Sequence, residues 1–472
     1  MLMKLRMLAA VGLLGIGLPA AAQSYTGLRF DNYAGVQGLT FNPAGVVNPH
    51  LRGEINLASA SAFLGNDYVS IGLGDVIEGS EDFDFLNGEF TTARNDNYFA
   101  TNVDVLGPSF LVSTGKHSGV ALLTRVRTMV NVENVNGQLF QEVEDSFAGE
   151  EDFDFNFENQ RVTGHGWGEI ALVYGRDVAS WDGGAIRAAA TLKYLKGAGG
   201  GHISGNRLVG SYQAEAETLT ADGDITYGYT TGFDDDGFST ESLGSGFGFD
   251  LGVQYEWQPT GLATTRKRYH LRVGASVTDI GSITYEDARI SQYQLTGTAD
   301  VSNYDEQGLE NFLIDNYAGV SGTEERSYRL PTAFRLMADV AFTRNLYVTL
   351  ATTQSLSGNN ALATSERNTV VVAPRFESKW LSLYSPFTLG GGESLRWGAG
   401  LRFGPLTIGS GSALSALLRD RTQSVDVYAG LKIPIYRKGK PKVVKPGTEE
   451  EGEEKEDQSS SDTEARKARS RR

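Results

Sequence analysis

The stretch Phe247-Gly248-Phe249-Asp250-Leu251-Gly252-Val253-Gln254-Tyr255-Glu256-Trp257 decides the fold. Its odd positions are apolar throughout, whereas its even positions are Gly248, Asp250, Gly252, Gln254 and Glu256. A period of two puts the apolar set on one face of a strand, and a helix at 3.6 residues per turn cannot produce it. Downstream, Tyr269, Leu271, Val273, Ala275 and Val277 alternate with His270, Arg272, Gly274, Ser276 and Thr278. Near the end, Val425, Val427, Ala429, Leu431, Ile433 and Ile435 alternate with Asp426, Tyr428, Gly430, Lys432 and Pro434. The same rhythm runs through Val120–Val130, Ile186–Tyr194, Phe334–Phe342 and Leu395–Phe403.

A soluble sandwich alternates too. Three features favour a membrane barrel instead. The segments reach about ten residues, the length that crosses a bilayer at a tilt. Aromatic residues sit near segment ends (Tyr255, Trp257, Tyr269, Trp397, Phe403 and Tyr436), where interfacial girdles belong. Connections alternate between short ones (Gly115–Ser118, Ala179–Gly184, Thr343–Asn345) and long acidic or Gly/Ser/Asn-rich ones (75–101, 132–166, 282–331, 355–367). The expected fold is all-β: a transmembrane antiparallel outer-membrane β-barrel of roughly 14–16 strands with an N-terminal plug-like segment. Residues 67–74, 203–217 and 220–230 count among the candidate strands, and Pro405–Ser410 is a further short one.

Composition agrees. The 472 residues hold 58 Asp+Glu against 42 Lys+Arg, an acidic balance that argues against nucleic acid. Gly reaches 58 residues and aromatics 10%, which suits strands and turns. Cys is absent, so disulfides, thiolate chemistry and a lipidated cysteine are excluded.

Four segments are expected. Residues 1–22 read as a cleaved signal peptide: Lys4 and Arg6, the apolar run Met7–Leu18, then Ala20-Ala21-Ala22. Residues 23–53 form a periplasmic or lumenal segment broken by Asn42-Pro43-Ala44 and Asn48-Pro49. Residues 54–436 are the barrel. Residues 437–472, with the acidic run at 449–454 and the basic end at 466–472, form a disordered periplasmic tail.

No chemistry-bearing motif stands out, so a non-enzyme is expected. His50, His117, His165, His202 and His270 show no metal-ligand spacing, and there is no Gly-x-Ser-x-Gly or Walker loop. Neither a cofactor nor a metal is expected. Asp234-Asp235-Asp236-Gly237 invites calcium but lacks the full ligand loop, and acidic loop tips commonly serve solvation. Glu81-Asp82-Phe83-Asp84-Phe85 recurs as Glu151-Asp152-Phe153-Asp154-Phe155, in two expected outer loops. It reads either as a contact site for lipopolysaccharide or as a chance repeat. Asp-Asn-Tyr-Ala-Gly-Val recurs at 31–36 and 315–320 without an evident reason.

The polar faces matter more. With apolar faces toward lipid, Arg125, Arg127, Arg187, Lys193, Arg272, Arg335, Arg396, Arg402 and Lys432 turn inward together with Asp250, Glu256, Asp339 and Asp426. Near-balanced signs point to an ion-pair lattice filling the barrel, and a binding site for an anionic group is the sharper alternative.

Several stretches resemble one family. Tyr33–Val36 followed by Asn42, Pro43 and Ala44, then Leu271–Tyr285 and Leu330–Arg335, are similar to segments of barrels related to the long-chain fatty acid transporters. The closing part, from Pro374–Glu377 through Leu401–Pro405 to Val427–Ile435, resembles an uncharacterised branch often joined to an OmpA-type peptidoglycan-binding domain. In this chain the charged tail stands after the barrel instead, so peptidoglycan anchoring is not expected. The resemblance implies an N-terminal segment in or near the lumen and passage of a hydrophobic small molecule. The expected function is therefore a passive channel or transporter in the cell outer membrane. Its partners would be membrane lipid, lipopolysaccharide and, during insertion, the barrel-assembly machinery. The alternatives are a scaffold or accessory barrel of a secretion or surface-assembly system, such as type IX secretion, and, last, an outer-membrane hydrolase.

Overall fold

A computed structural model describes residues 25–72, 89–91, 93–230, 233–234, 237–238, 243–258, 269–390, 393–419 and 421–437. Each strand pairs antiparallel with the next, and the last pairs with the first, so the sheet closes into a barrel of 14 strands. They are β1 Leu51–Asn66, β2 Asn97–Leu106 with Ser109–Val112, β3 Ser118–Val135, β4 Phe153–Trp181 and β5 Gly184–Gln213. Next come β6 Thr218–Thr230 with Gly244–Trp257, β7 Leu271–Asp300, β8 Ala318–Arg329 with Ala333–Ala341, and β9 Leu346–Ser355. The ring ends with β10 Thr369–Glu377, β11 Leu381–Tyr384 with Phe387–Gly390, β12 Glu393–Trp397 with Ala399–Phe403, β13 Leu406–Ser410 and β14 Ser424–Tyr436. Closure comes from β14 against β1, which runs from Leu51↔Tyr436 to Gly65↔Ser424.

The alternation that identifies the strands also sorts their faces. Phe247, Phe249, Leu251, Val253 and Trp257 lie exposed on the outside, whereas Asp250, Gln254 and Glu256 are buried inside. A closed sheet leaves no unpaired edge in hydrocarbon, and an apolar outer face with a polar interior is the arrangement of a membrane-spanning barrel. No helix among the described residues is long and apolar enough to cross a membrane. At the short-turn end, Trp181 stacks on Tyr255 at 6.1 Å and Trp380 tilts against Tyr436 at 5.7 Å. Such amphipathic rings suit a headgroup interface.

Three of the strand interruptions fall at a proline. β2 breaks at Gly107-Pro108, β8 at Leu330-Pro331-Thr332 and β11 at Ser385-Pro386. Proline lacks the N–H that a ladder needs, so each site costs a hydrogen bond.

Several sequence expectations need correction. The first strand begins at Leu51 rather than 54. Among the described residues of 67–74, Val69–Gly72 is extended, and it pairs with Glu89–Phe90 and Arg421–Thr422 in a small sheet outside the ring. Residues 203–217 are not a separate strand, because β5 runs unbroken for 30 residues to Gln213. Residues 220–230 are the upper part of β6, and Leu406–Ser410 is a full member of the ring. Much of 132–166 and 282–331 is strand and not loop. The cause is length. β4 and β5 far exceed the 9–11 residues that cross a bilayer, so β4–β8 continue past the membrane as a twisted sheet.

The extension has its own core. Phe147, Phe155, Phe157, Tyr212, Tyr227, Tyr293, Tyr304 and Phe312 pack together there. The Phe147 ring meets Tyr304 edge-on at 5.0 Å, which docks the helix Tyr304–Asn316 onto the sheet. Phe153 and Phe155 therefore belong to β4 and this core, so the second acidic-aromatic copy is not a free outer loop. The first copy, 81–85, lies outside the described residues, as do Asp235 and Asp236. The two Asp-Asn-Tyr-Ala-Gly-Val copies share no setting: Asp31 and Asn32 are buried, whereas Val320 is exposed on β8.

Candidate functional site

The inner wall is a set of ion pairs anchored on inward strand positions. On the β2–β4 side, Arg125 donates to both Asp104 carboxylate oxygens at 2.7 Å and reaches Glu169 at 3.2 Å. Asp104 and Glu169 belong to the same alternation as Arg125, so the rule that found Arg125 also finds them.

Asp279 does not follow that rule. Strict alternation from Thr278 would turn it to lipid, yet both residues are buried inside and Ile280 is the one exposed. The reason is a bulge opposite Phe249–Leu251, with Asp279 at φ 58°, which places an extra residue on the inner face. There Asp279 accepts from Arg127 at 2.8 Å and Lys193 at 2.6 Å, while its backbone N–H donates to Asp250 at 2.7 Å. Lys193 also pairs with Asp250 at 2.8 Å. Next to it, Arg187 joins Asp177 at 3.1 Å and Glu256 at 2.9 Å.

On the neighbouring strand β8, Asp339 is the hub. It accepts from Arg272 at 3.0 Å, Arg375 at 2.7 Å, Thr349 at 2.9 Å and Tyr269 at 2.6 Å. Arg375 also pairs with Glu377, and neither was singled out in the sequence although both lie on the inward register of β10. Arg335 meets Glu366 at 2.7 Å, and Arg396 lies over the Phe63 ring at 5.3 Å. Asp426 accepts from the Ser410 hydroxyl at 3.1 Å and from the Gly411 N–H and Ser412 hydroxyl.

Residues 25–50 make the contacts that periodicity could not supply. This segment is almost wholly buried and folds as short turns: Leu28–Phe30, Val36–Leu39 and Pro43–Val46. Asn42 caps the last turn, its Oδ1 accepting from the Ala44 N–H at 2.9 Å with Pro43 in the first turn. The Asn42 amide also donates to the carbonyls of Val253 on β6 and Ala275 on β7, at 3.1 and 3.2 Å. Asn42, Pro43 and Ala44 therefore fasten the segment to the wall.

Other contacts reach around the ring. Asp31 pairs with Arg402 of β12 at 2.9 Å and accepts from the Tyr384 hydroxyl of β11. Asn32 donates to Glu377 of β10 at 2.7 Å, and Gln37 to Ser59 of β1 at 2.8 Å. Lys432 of β14 donates to the carbonyls of Tyr33 and Ala34 at 2.7 and 2.6 Å and pairs with Glu54 at 3.1 Å. Burial pushes the Asp31 carboxyl up, but the Arg402 charge and the Tyr384 hydroxyl outweigh it and hold the group well below the usual carboxylate range.

Two small cavities border this segment. One, of about 30 Å³, is lined by Arg29 and Thr40 of the segment and by wall residues including Arg125, Arg335 and Thr369. The other, of about 50 Å³, lies between the segment and Arg187, Gln254, Glu256 and Arg272. Of the histidines, His165 bonds Tyr285 at 3.1 Å, His202 bonds Tyr328 at 3.0 Å, and exposed His117 bonds Asp177 at 2.8 Å. Sequence reasoning missed Arg29, Asp31 and Asp279, because none lies in a regular alternation.

Solved barrels offer comparisons. The chain is similar to the Ralstonia pickettii toluene transporter TbuX, with 11% identity, 85% of this chain and 94% of that one covered, and a TM-score of 0.42. It is also similar to the Pseudomonas putida toluene transporter TodX, at 9% identity, 88% and 98% coverage, and a TM-score of 0.40. A third is a Pseudomonas aeruginosa FadL homologue, at 11% identity, 83% and 91% coverage, and a TM-score of 0.36. No curated protein matches the sequence. A family model matches residues 43–411, from Pro43 of the buried segment through the ring to Gly411, and the chain belongs to that family, described as "Family of unknown function (DUF5723)".

Proposed function

We propose that this barrel is a gated passage for a small hydrophobic molecule across the outer membrane, with residues 25–50 as its plug. The observation that carries the reading is how the segment is held. Its contacts are separate side-chain bonds, from Asp31, Asn32, Gln37 and Asn42, to strands all around the ring. No strand of the segment joins the wall among the described residues. Such bonds can be exchanged for water one at a time, whereas a ladder pairing releases only as a unit. The motif resemblance supports the hydrophobic cargo. In this reading the signal peptide is removed, the outer wall meets lipid and lipopolysaccharide, the assembly machinery inserts the barrel, and the charged tail lies in the periplasm.

Conductance in planar bilayers tests the proposal. The full chain should be nearly silent, and a variant lacking residues 25–50 should open stable channels. Equal conductance of the two, or silence of both when the variant is folded, would overturn it.

The density of ion pairs inside the ring supports a second reading, a rigid scaffold that passes nothing. That reading expects silence from both proteins and loss of a captured partner when residues 437–472 are deleted.

A further inference from the structure

Arg29 is a buried cation with no carboxylate in ion-pair distance among the described residues. Arg29, in the turn Leu28–Phe30, is 7% exposed, and its side chain makes no ion pair or hydrogen bond among the described residues. Its guanidinium rests on aromatic faces, 4.8 Å from the centre of Phe41 and 5.4 Å from that of Phe30. Burying an unpaired cation is costly, and ring faces offset only part of that cost. Burial and the nearby Arg335 charge push the Arg29 group down to about 9, against a partial opposing pull from Glu366. Eight other interior cations are arranged differently: Arg125, Arg127, Arg187, Lys193, Arg272, Arg375, Arg402 and Lys432 each meet a carboxylate.

Arg29 opens onto the 30 Å³ cavity, and so does Arg335 of β8. Arg335 has one carboxylate, Glu366 at 2.7 Å, which also serves Arg127 at 3.5 Å. The Arg335 Nε and the Thr369 hydroxyl, both buried on this wall, lack hydrogen-bond partners. Excess positive charge, unpaired N–H and O–H donors and a small cavity therefore coincide. The space holds about two waters, which is also the room needed by two oxygens of one anionic group.

We infer that this cavity is a binding site for an anionic oxygen group, a carboxylate or a phosphate, held by Arg29 and Arg335 with Thr369 as a further donor. Guanidinium groups match such oxygens in geometry as well as charge. Because Arg29 belongs to the N-terminal segment and Arg335 to β8, the bound group ties the segment to the wall. The site deepens the passage reading, since it gives the lumen a ligand with an anionic end, but it stands on its own geometry.

The test uses the full chain in detergent micelles at constant ionic strength, with chloride replaced in turn by acetate, inorganic phosphate or hexyl phosphate. Calorimetric binding and the heat-unfolding midpoint are both read. At least one oxyanion should bind and raise the midpoint by several degrees over chloride. Arg29→Met and Arg335→Met should each weaken that binding tenfold or more. Response to acetate or inorganic phosphate identifies a free anion as sufficient, whereas response to hexyl phosphate alone identifies the head group of an amphiphile. Either result supports the site. No response to any of the three, or an equal response in both variants, would overturn it. If Arg29→Met does not fold, Arg335→Met decides by the same criterion. A barrel that binds but never conducts sinks the passage reading and leaves this one standing, and the converse result separates them the other way.

Discussion

Asp31 and Arg402, 371 positions apart in the chain, pair at 2.9 Å with both side chains buried. The guanidinium continues to the Ser378 carbonyl at 2.7 Å and the Ser382 hydroxyl at 2.6 Å, so the N-terminal segment is fastened to a side chain that is itself fixed by the β10–β11 turn and β11. With Lys432 of β14, which donates to the Tyr33 and Ala34 carbonyls, this contact joins the segment to the closing part of the ring.

Asp31→Asn should loosen the segment without opening the barrel. It leaves Arg402 buried without its counter-charge, a cost of roughly 3–5 kcal/mol. Limited proteolysis from the short-turn side should cut within residues 25–50 in the variant and spare the wild-type chain. Equal protection would show that the pair does not hold the segment.

The same pair fixes a pH dependence. The Asp31 carboxyl is held below its unfolded value of about 4, so its contribution is fully present above that value. It is lost as pH falls through the lower folded value. The protection that Asp31 adds, read as the difference between wild type and Asp31→Asn, should thus be flat from neutral pH down to about 5 and fall below about 4. A loss already complete near pH 6 would assign the effect to another group.

Gly35→Val should displace the segment by a different route. Gly35 sits at φ 60°, where a β-branched residue is strained, and a Cβ there would run into the Glu54 carboxylate. That carboxylate accepts from the Val36 N–H at 2.8 Å and pairs with Lys432, so the collision disrupts both. Raised conductance relative to the wild-type chain is the expected readout.

Asp279→Ala removes the acceptor shared by Arg127 and Lys193. Lys193 retains Asp250, and Arg127 is left with Glu366 at 3.5 Å. The expected loss is about 3 kcal/mol, seen as a lower temperature for the shift in electrophoretic migration that accompanies barrel unfolding. A change below about 0.5 kcal/mol would mean that the bulge contributes shape and not charge pairing.

On the outer face, Leu251→Arg places a charge in the lipid-facing row of β6, at a cost of about 2–4 kcal/mol near the mid-plane. Gln254→Arg, on the inner face, should fold far better, because it stands in the polar interior near Glu256. Comparing folded yields after refolding into lipid vesicles checks the assignment of the two faces.

The barrel, and which way its strand side chains point, are legible in the order of the amino acids. Side-chain direction follows from a period of two, and the barrel from that period together with segment length, aromatic ends and the short-long rhythm of the connections, all local properties that need no knowledge of partners. Arg125, Arg187, Arg272, Asp339 and Lys432 could be turned inward on that basis alone. Contacts between distant strands set the rest. It set the height of β4–β8, because an apolar-polar rhythm looks alike in lipid and in an external sheet with its own aromatic core. It turned Asp279 inward, because a bulge shifts register where two strands meet and not within one. It also decided that residues 25–50 lie against the inner wall, with Asp31 paired and Arg29 unpaired. That segment has no period, and its partners are supplied by strands hundreds of residues away, so closure of the ring had to bring them together.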